Sequence, residues 1–199
     1  MLEQIVATTA QEQSPEDASV DRRLISACQQ GDREALRLLF EEYKDRVYSI
    51  SLYSLAGDRA AAADVTQQVF LKLMTRIGQF RGDSEFSTWL YRLVVNLCRD
   101  EMRKQRRLVA FPEGLFRRTG HEPSQTARFA RKELAENVHA AIAELKPKLR
   151  WPILLKYVDG LSYEEIGQVL GCSKGTVASR LNRAHKALAR RLRHLRDSV

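Results

Sequence analysis

The sequence predicts an all-α protein, two helical domains joined by a flexible linker. Three observations predict it. Apolar residues recur at helical spacing through most of the chain, and no stretch alternates as a half-buried strand would. Glycine and proline punctuate these stripes, with Pro112, Gly114, Gly120 and Pro123 crowded into residues 108–128. The length of 199 residues suits two small units, each of roughly 80 residues, near the lower limit for a core that folds unaided.

Taken in order, residues 1–19 hold Ser14-Pro15-Glu16-Asp17 and read as a flexible acidic leader. A short helix follows with Leu24, Ala27 and Cys28 on one face, stopped by Gly31. Asp32 is placed to cap a second helix, striped by Leu36, Leu39, Tyr43, Val47 and Ile50. Asp58, after Gly57, caps a third, striped by Ala62, Val65, Val69, Leu73 and Ile77. The clearest stripe runs Phe86, Trp89, Leu90, Leu93, Val94, Leu97, Cys98, Met102, with Arg92, Asn96, Arg99 and Arg103 facing outward. These four helices make the first domain, residues 20–107; residues 108–128 are the linker and 129–199 the second domain. In the second, Leu134, Val138, Ala141, Ile142 and Leu145 restart the helical pattern, and Lys146-Pro147 makes a turn. A short apolar helix to Tyr157 is expected to begin near Arg150–Trp151, or to kink, because of Pro152.

Charge gives the first functional clue. The net charge is +8, but it is unevenly spread. Residues 1–19 carry Glu3, Glu12, Glu16 and Asp17 with no Lys or Arg, whereas residues 173–199 carry Lys174, Arg180, Arg183, Lys186, Arg190, Arg191, Arg193 and Arg196 against Asp197 alone. A basic end of this density suits a polyanion, through phosphate neutralisation and counterion release, although a solvated helix face has the same composition. No apolar run approaches the roughly 20 residues of a membrane span, and no secretory signal opens the chain, so a cytoplasmic protein without membrane insertion is expected. Cys28, Cys98 and Cys172 form no pair motif, and His121, His139, His185 and His194 lack metal spacing. No GxSxG, P-loop or HExxH is present, so no catalytic residue, cofactor or metal is expected.

The segment from Leu161 to Leu181 carries the sharpest signal. Ser162 with Glu165 forms a capping box, and Ile166, Val169 and Leu170 supply a buried face. Gly171 suits a left-handed turn, and Ser173 can cap a second helix anchored by Val177 and Leu181. Outward from that helix stand Lys174, Gly175, Thr176, Ser179, Arg180, Asn182 and Arg183. Guanidinium reads guanine, carboxamide reads adenine, and hydroxyls and amides hold phosphates, which is the chemistry of a major-groove recognition helix. By helical phase Arg180 could instead pair with Glu164 or Glu165.

This helix-turn-helix, with the preceding Tyr157-Val158-Asp159-Gly160, resembles region 4 of bacterial RNA polymerase sigma factors, most closely the extracytoplasmic-function (ECF, group 4) class of the sigma-70 family. The first domain resembles region 2 of the same family in two places. Asp64-Val65-Thr66-Gln67-Gln68-Val69-Phe70-Leu71 is similar to the helix that docks on the coiled coil of the polymerase clamp. Phe80-Arg81-Gly82-Asp83-Ser84 through Trp89, Arg92 and Leu97 is similar to the reader of the −10 promoter element. The resemblance covers about residues 21–107 and 133–195.

It implies a factor that binds core polymerase and promoter DNA, opens the −10 element for transcription initiation in a stress response, and is restrained by an anti-sigma factor. For polymerase binding it implies Asp64, Gln67, Gln68, Phe70 and Leu71; this chain departs from the acidic residues commoner near Val65 and Gln68, so the resemblance implies the docking but not its dependence on charge. For the −10 element it implies the loop Phe80, Arg81, Gly82, Asp83 and Ser84, with Gly82 allowing close approach, together with Trp89, Arg92 and Asn96. Trp89 is either a core anchor or a wedge at the melting fork. Unstacking a base costs a few kcal/mol, so a fitted pocket and stacking must offset it. For the −35 element it implies Lys174, Thr176, Ser179, Arg180, Asn182 and Arg183, the last two carrying more of the readout because Ala178 stands where relatives have a basic residue. The linker either threads the polymerase or is only a tether. An autonomous helix-turn-helix repressor would have no use for the clamp-like and −10-like segments, and an enzyme would need a catalytic constellation.

Overall fold

The computed structural model describes residues 17–109 and 137–193, with side chains over 22–107 and 137–193. The expected leader up to residue 16, the linker beyond Val109, Leu134 of the next stripe and the basic residue Arg196 lie outside the described residues. Every regular element among the described residues is helical. Helix α1 spans Asp17–Gln29, three residues of it inside the expected leader; α2 spans Arg33–Ser54 and α3 Arg59–Arg76, extended by a 3-10 turn Ile77–Gln79; α4 spans Phe86–Val109. In the second unit residues 137–143 are helical, here α5. They are followed by α6 (Pro147–Tyr157), α7 (Tyr163–Leu170) and α8 (Lys174–Arg191).

The caps expected from sequence form. Asp32 accepts from the amides of Glu34 and Ala35 at 2.8 and 3.2 Å, and Asp58 from Ala61 at 3.0 Å. Each satisfies donors that the first turn of a helix leaves without intrahelical partners. The stripes of α2, α3 and α4 meet in one core, where Leu39, Val47, Ile50, Val69, Leu90 and Val94 are wholly buried. In the second unit Val138, Ile142, Leu154, Leu155, Ile166, Val177 and Leu181 do the same.

Helix α6 differs from expectation. It starts at Pro147, not near Arg150, so Pro147 occupies the N1 position where its missing N–H costs nothing. Pro152 consequently falls inside the helix and is buried.

The two units dock directly on each other, an arrangement the sequence reading did not contain. Helix α4 packs on α7, and α2 packs on α6. Four polar links cross this contact. The Tyr91 hydroxyl donates to Asp159 Oδ1 at 2.5 Å, and Arg46 Nη1 lies 3.5 Å from the same oxygen. Arg92 Nε donates to the carbonyl of Gln168 at 3.0 Å. Arg150, almost fully buried, donates from Nη1 to the carbonyl of Ser54 at 2.5 Å and from Nη2 to the carbonyls of Ala143 and Leu145. Its cation thus sits on the last carbonyls of α2 and of α5, where the helix dipole favours positive charge. The ring of His139 also stacks on Tyr53, with centroids 4.5 Å apart.

Candidate nucleic-acid interface

The helix-turn-helix is built by local chemistry. Ser162 Oγ accepts from the amide of Glu165 at 3.2 Å while Glu165 Oε2 accepts from the amide of Ser162 at 2.7 Å, a complete capping box. The chain turns at Gly171 in the left-handed conformation, φ +67°. Ser173 then caps α8 through the amide of Thr176, and its hydroxyl lies 3.0 Å from that of Thr176. Val177, Leu181, Ala184 and Leu188 bury one face of α8.

The opposite face is left to solvent. Lys174, Gly175, Ser179, Asn182 and Arg183 are exposed and Thr176 and Arg180 half-buried. Gly175, Thr176, Ser179, Arg180 and Arg183 line an open depression of about 490 Å³, with Lys148, Leu149 and Ser173. Hydroxyls, guanidinium groups and the amide-rich start of an 18-residue helix converge there, a set suited to phosphate and base edges. Lys148 was missed by sequence reasoning because it comes from α6, and only the tertiary fold brings it to this rim.

The alternative of Arg180 pairing with Glu164 or Glu165 is not realised. Lys174 takes Glu164, and that bond holds the Glu164 carboxyl below its ordinary range. Glu165 is occupied in the capping box. Arg180 instead donates to Cys172 Sγ at 3.5 Å.

In the first unit Phe80 and Trp89 form an aromatic cluster with Phe86. Phe80 meets Phe86 edge-on at 5.5 Å and Trp89 at 5.7 Å, and Trp89 lies 5.8 Å from Phe86. Trp89 is therefore half-buried on the core side of the loop. Gln29 Nε2 pins this segment by donating to the carbonyls of Ile77 and Phe80 at 3.0 and 2.9 Å. Arg81, Gly82 and Asp83 are exposed and Ser84 half-buried. Gly82 has φ +79° and nothing within 4 Å of where a Cβ would stand, so its backbone conformation, not crowding within the chain, calls for glycine. Arg92 and Asn96 lie exposed along α4, and Arg99 is half-buried beside Arg180. Burial, with the like charges of Arg103 and Arg180, pulls the Arg99 guanidinium down. Arg92 meets α7 at the Gln168 carbonyl and Arg99 lies beside Arg180 of α8, whereas Asn96 and the depression on α8 stay open.

A third surface lies on α3. Asp64, Gln67 and Gln68 are exposed, Leu71 is 55% and Met74 57% exposed, while Phe70 is buried edge-on against Phe40 at 4.7 Å. Leu38 and Phe40 of α2 are exposed as well. Met74 and Phe40 had been missed. The signal was available for Met74, which stands three residues after Leu71 and so on the same helix face.

Comparisons with known proteins agree with this geometry. The family model "Sigma-70 region 2" matches residues 39–108 and "Sigma-70, region 4" matches residues 135–188. The chain is 33% identical over 184 residues to the RNA polymerase sigma-H factor of Pseudomonas aeruginosa, covering 88% of this chain and 95% of that one. It is 36% identical over 185 residues to the ECF RNA polymerase sigma-E factor of Escherichia coli, with coverage of 88% and 95%. The structure of CnrH in complex with the cytosolic domain of CnrY superposes with a TM-score of 0.66 at 25% identity, over 87% of this chain and 97% of that one. No helix among the described residues is long and apolar enough to cross a membrane. The helix-turn-helix of the second unit and these matches along most of the chain place it in the ECF class of the sigma-70 family, the factors that direct RNA polymerase to promoters.

Proposed function

We propose that α3 docks on the clamp coiled coil of core polymerase through Asp64, Gln67, Gln68 and Leu71, with Phe70 supporting Phe40 beneath them. Met74 joins this patch. The observation that supports it is an exposed apolar strip with a polar rim on a well-packed helix, a surface soluble monomers seldom leave uncovered. The −35 element is read by Asn182, Arg183, Ser179 and Arg180 from the open face of α8, with Lys174, Thr176 and Lys148 on phosphates. The −10 element is read by the loop from Phe80 to Ser84 and by Arg92 and Asn96 on α4. In this reading Trp89 anchors the loop from within, through its contacts with Phe80 and Phe86.

The protein supplies binding energy and no chemistry of its own, acting in the cytoplasm on the polymerase that makes RNA. A regulatory protein partner of the anti-sigma kind is part of the proposal, supported by the solved relative CnrH, which is held in a complex with the cytosolic domain of CnrY. The single observation that carries the promoter reading is the solvent-facing row Lys174, Ser179, Asn182 and Arg183 on a capped helix-turn-helix. Run-off transcription with purified core polymerase on genomic fragments tests it. Specific transcripts are expected only when polymerase and this protein are both present. DNA binding without any redirection of polymerase would refute it.

A further inference from the structure

The loop between Phe80 and Phe86 is fixed at its ends and open in the middle. Arg81, Gly82 and Asp83 are exposed and make no hydrogen bond or ion pair among the described residues. Ser84 reaches only its neighbour, its Oγ donating to the Glu85 carbonyl at 3.3 Å. At the far end Phe86 is buried at the start of α4. At the near end Phe80 is held in three ways. Its amide donates to the Ile77 carbonyl at 3.1 Å, its ring packs on Phe86 and Trp89, and its carbonyl accepts from Gln29 Nε2 at 2.9 Å.

Only the last of these ties comes from another part of the chain. The same Gln29 nitrogen donates to the Ile77 carbonyl at 3.0 Å, so both N–H bonds of the carboxamide are used on this one segment. Gln29 is itself well placed to act as an anchor. It ends α1, next to the buried Cys28, and the turn behind it is tied by the amides of Gly31 and Asp32, which donate to the carbonyls of Cys28 and Ala27 at 3.1 Å. Helix α1 also packs on the 3-10 turn that leads into the loop.

The bond to Phe80 has a directional consequence. A trans peptide points its C=O and its N–H in opposite directions, and no cis peptide occurs among the described residues. Holding the Phe80 carbonyl towards α1 therefore turns the Arg81 N–H away from α1, where no acceptor meets it among the described residues. The aromatic contacts fix the Phe80 ring but leave its carbonyl free to swing; the Gln29 bond removes that freedom.

We propose that Gln29 is a positioning residue for capture of the unpaired −10 base, presetting the direction in which the loop from Arg81 to Ser84 leaves Phe80. The proposal rests on the −10 assignment above and adds to it a residue 51 positions from Phe80. A loop already aimed loses less freedom when the base arrives, and that saving appears as affinity. Gln29 is exposed, so water replaces its bonds when they are lost. The fold is then spared while the aim of the loop is not.

The test uses the full chain bound to core polymerase. The probe is a fluorescent single-stranded oligonucleotide carrying the non-template −10 sequence of a promoter found by run-off transcription, with a set made abasic at each −10 position in turn. Gln29→Glu keeps the shape and removes both donors; Gln29→Lys restores donors within reach of both carbonyls. Gln29→Glu is expected to weaken capture about tenfold, while Gln29→Lys stays within about twofold of the parent. Binding to core polymerase, binding to −35 duplex and the melting temperature should not change in either. At one abasic position the parent should fall to the level of Gln29→Glu, because no base is left for the preset loop to receive. Unchanged capture by folded Gln29→Glu would overturn the proposal, as would a tenfold difference that persists on every abasic probe. A loss in Gln29→Lys equal to that in Gln29→Glu, with a lowered melting temperature in both, would reduce Gln29 to a purely structural part and overturn it too. Arg81→Ala and Asp83→Ala separate the two levels. Capture that responds to the loop but not to Gln29 defeats the positioning role alone, whereas capture indifferent to the loop defeats the −10 assignment and the proposal with it.

Discussion

Raising the pH from 5 to 7.5 should loosen the contact between the two units, because Asp159 loses its proton inside it. Burial drives the Asp159 carboxyl up from 3.8 to about 6, with the negative charge of Glu165 on α7 adding to the effect; Tyr91 and Arg46 pull the other way and lose. In separated units the same group faces water and titrates in the ordinary range near 4. A value raised in the docked form contributes docking stability that is complete below about pH 4. That stability declines between about pH 4 and 6, and is absent above. From pH 5 to 7.5 the loss covers about one pKa unit, or about 1.4 kcal/mol, which is about tenfold in the docking equilibrium. The Asp159→Asn variant carries no charge to desolvate, so its docking should be flat over that range and, at pH 7.5, tighter than the parent's by about 1–3 kcal/mol. The distance between nitroxide labels placed one on each unit, at the exposed positions Arg59→Cys and Ala189→Cys with Cys172→Ser, read at pH 5, 6 and 7.5, tests both. A parent distribution that does not move, or an Asn variant that follows the same pH curve, would refute the assignment to Asp159.

Three further outcomes are expected. Leu71→Glu or Met74→Glu should weaken core polymerase binding at least tenfold while leaving the melting temperature within a degree or two, since both side chains are more than half exposed; co-purification with core polymerase and a thermal melt check this. Asn182→Ala should cost about 1–3 kcal/mol on the preferred −35 sequence and relax specificity at one position, whereas Arg183→Ala, if it holds phosphate, should lower the salt slope of binding by about one; fluorescence anisotropy over a salt series separates them. Gly167→Ala puts a Cβ 2.7 Å from the Cys172 carbonyl oxygen, a backbone atom of the turn that aims α8. It should destabilise the second unit by about 1–3 kcal/mol in urea denaturation, and an unchanged midpoint would show that the turn can give way.

Which features could be read in advance follows from how local their causes are. The caps at Asp32, Asp58, Ser162 and Ser173 are fixed by residues within three positions, so the sequence displays them. The stripe of α4 was legible for the same reason: one helix face determines it. Tyr91 and Val95 lie off that stripe and are nonetheless buried completely. Tyr91 is bonded to a residue 68 positions away, and no local period encodes that partner. Lys148 and Met74 show the two kinds of omission. Lys148 reaches the α8 depression only through the packing of α6 on α8, while Met74 repeats the Leu71 face and needed only a longer look along α3. The early start of α6 was missed because Pro152 was weighed as a first-turn residue when Pro147 already filled that place.

The position of Arg150 also bears on how the protein loses its structure. A single guanidinium satisfies carbonyls at the end of α2 and at the end of α5, so melting either helix strands a buried cation belonging to the other's fold. The heat absorption of the docked molecule should therefore appear as one cooperative peak. A calorimetric trace that separates into two smaller peaks would mark the point at which each unit has become its own folding problem.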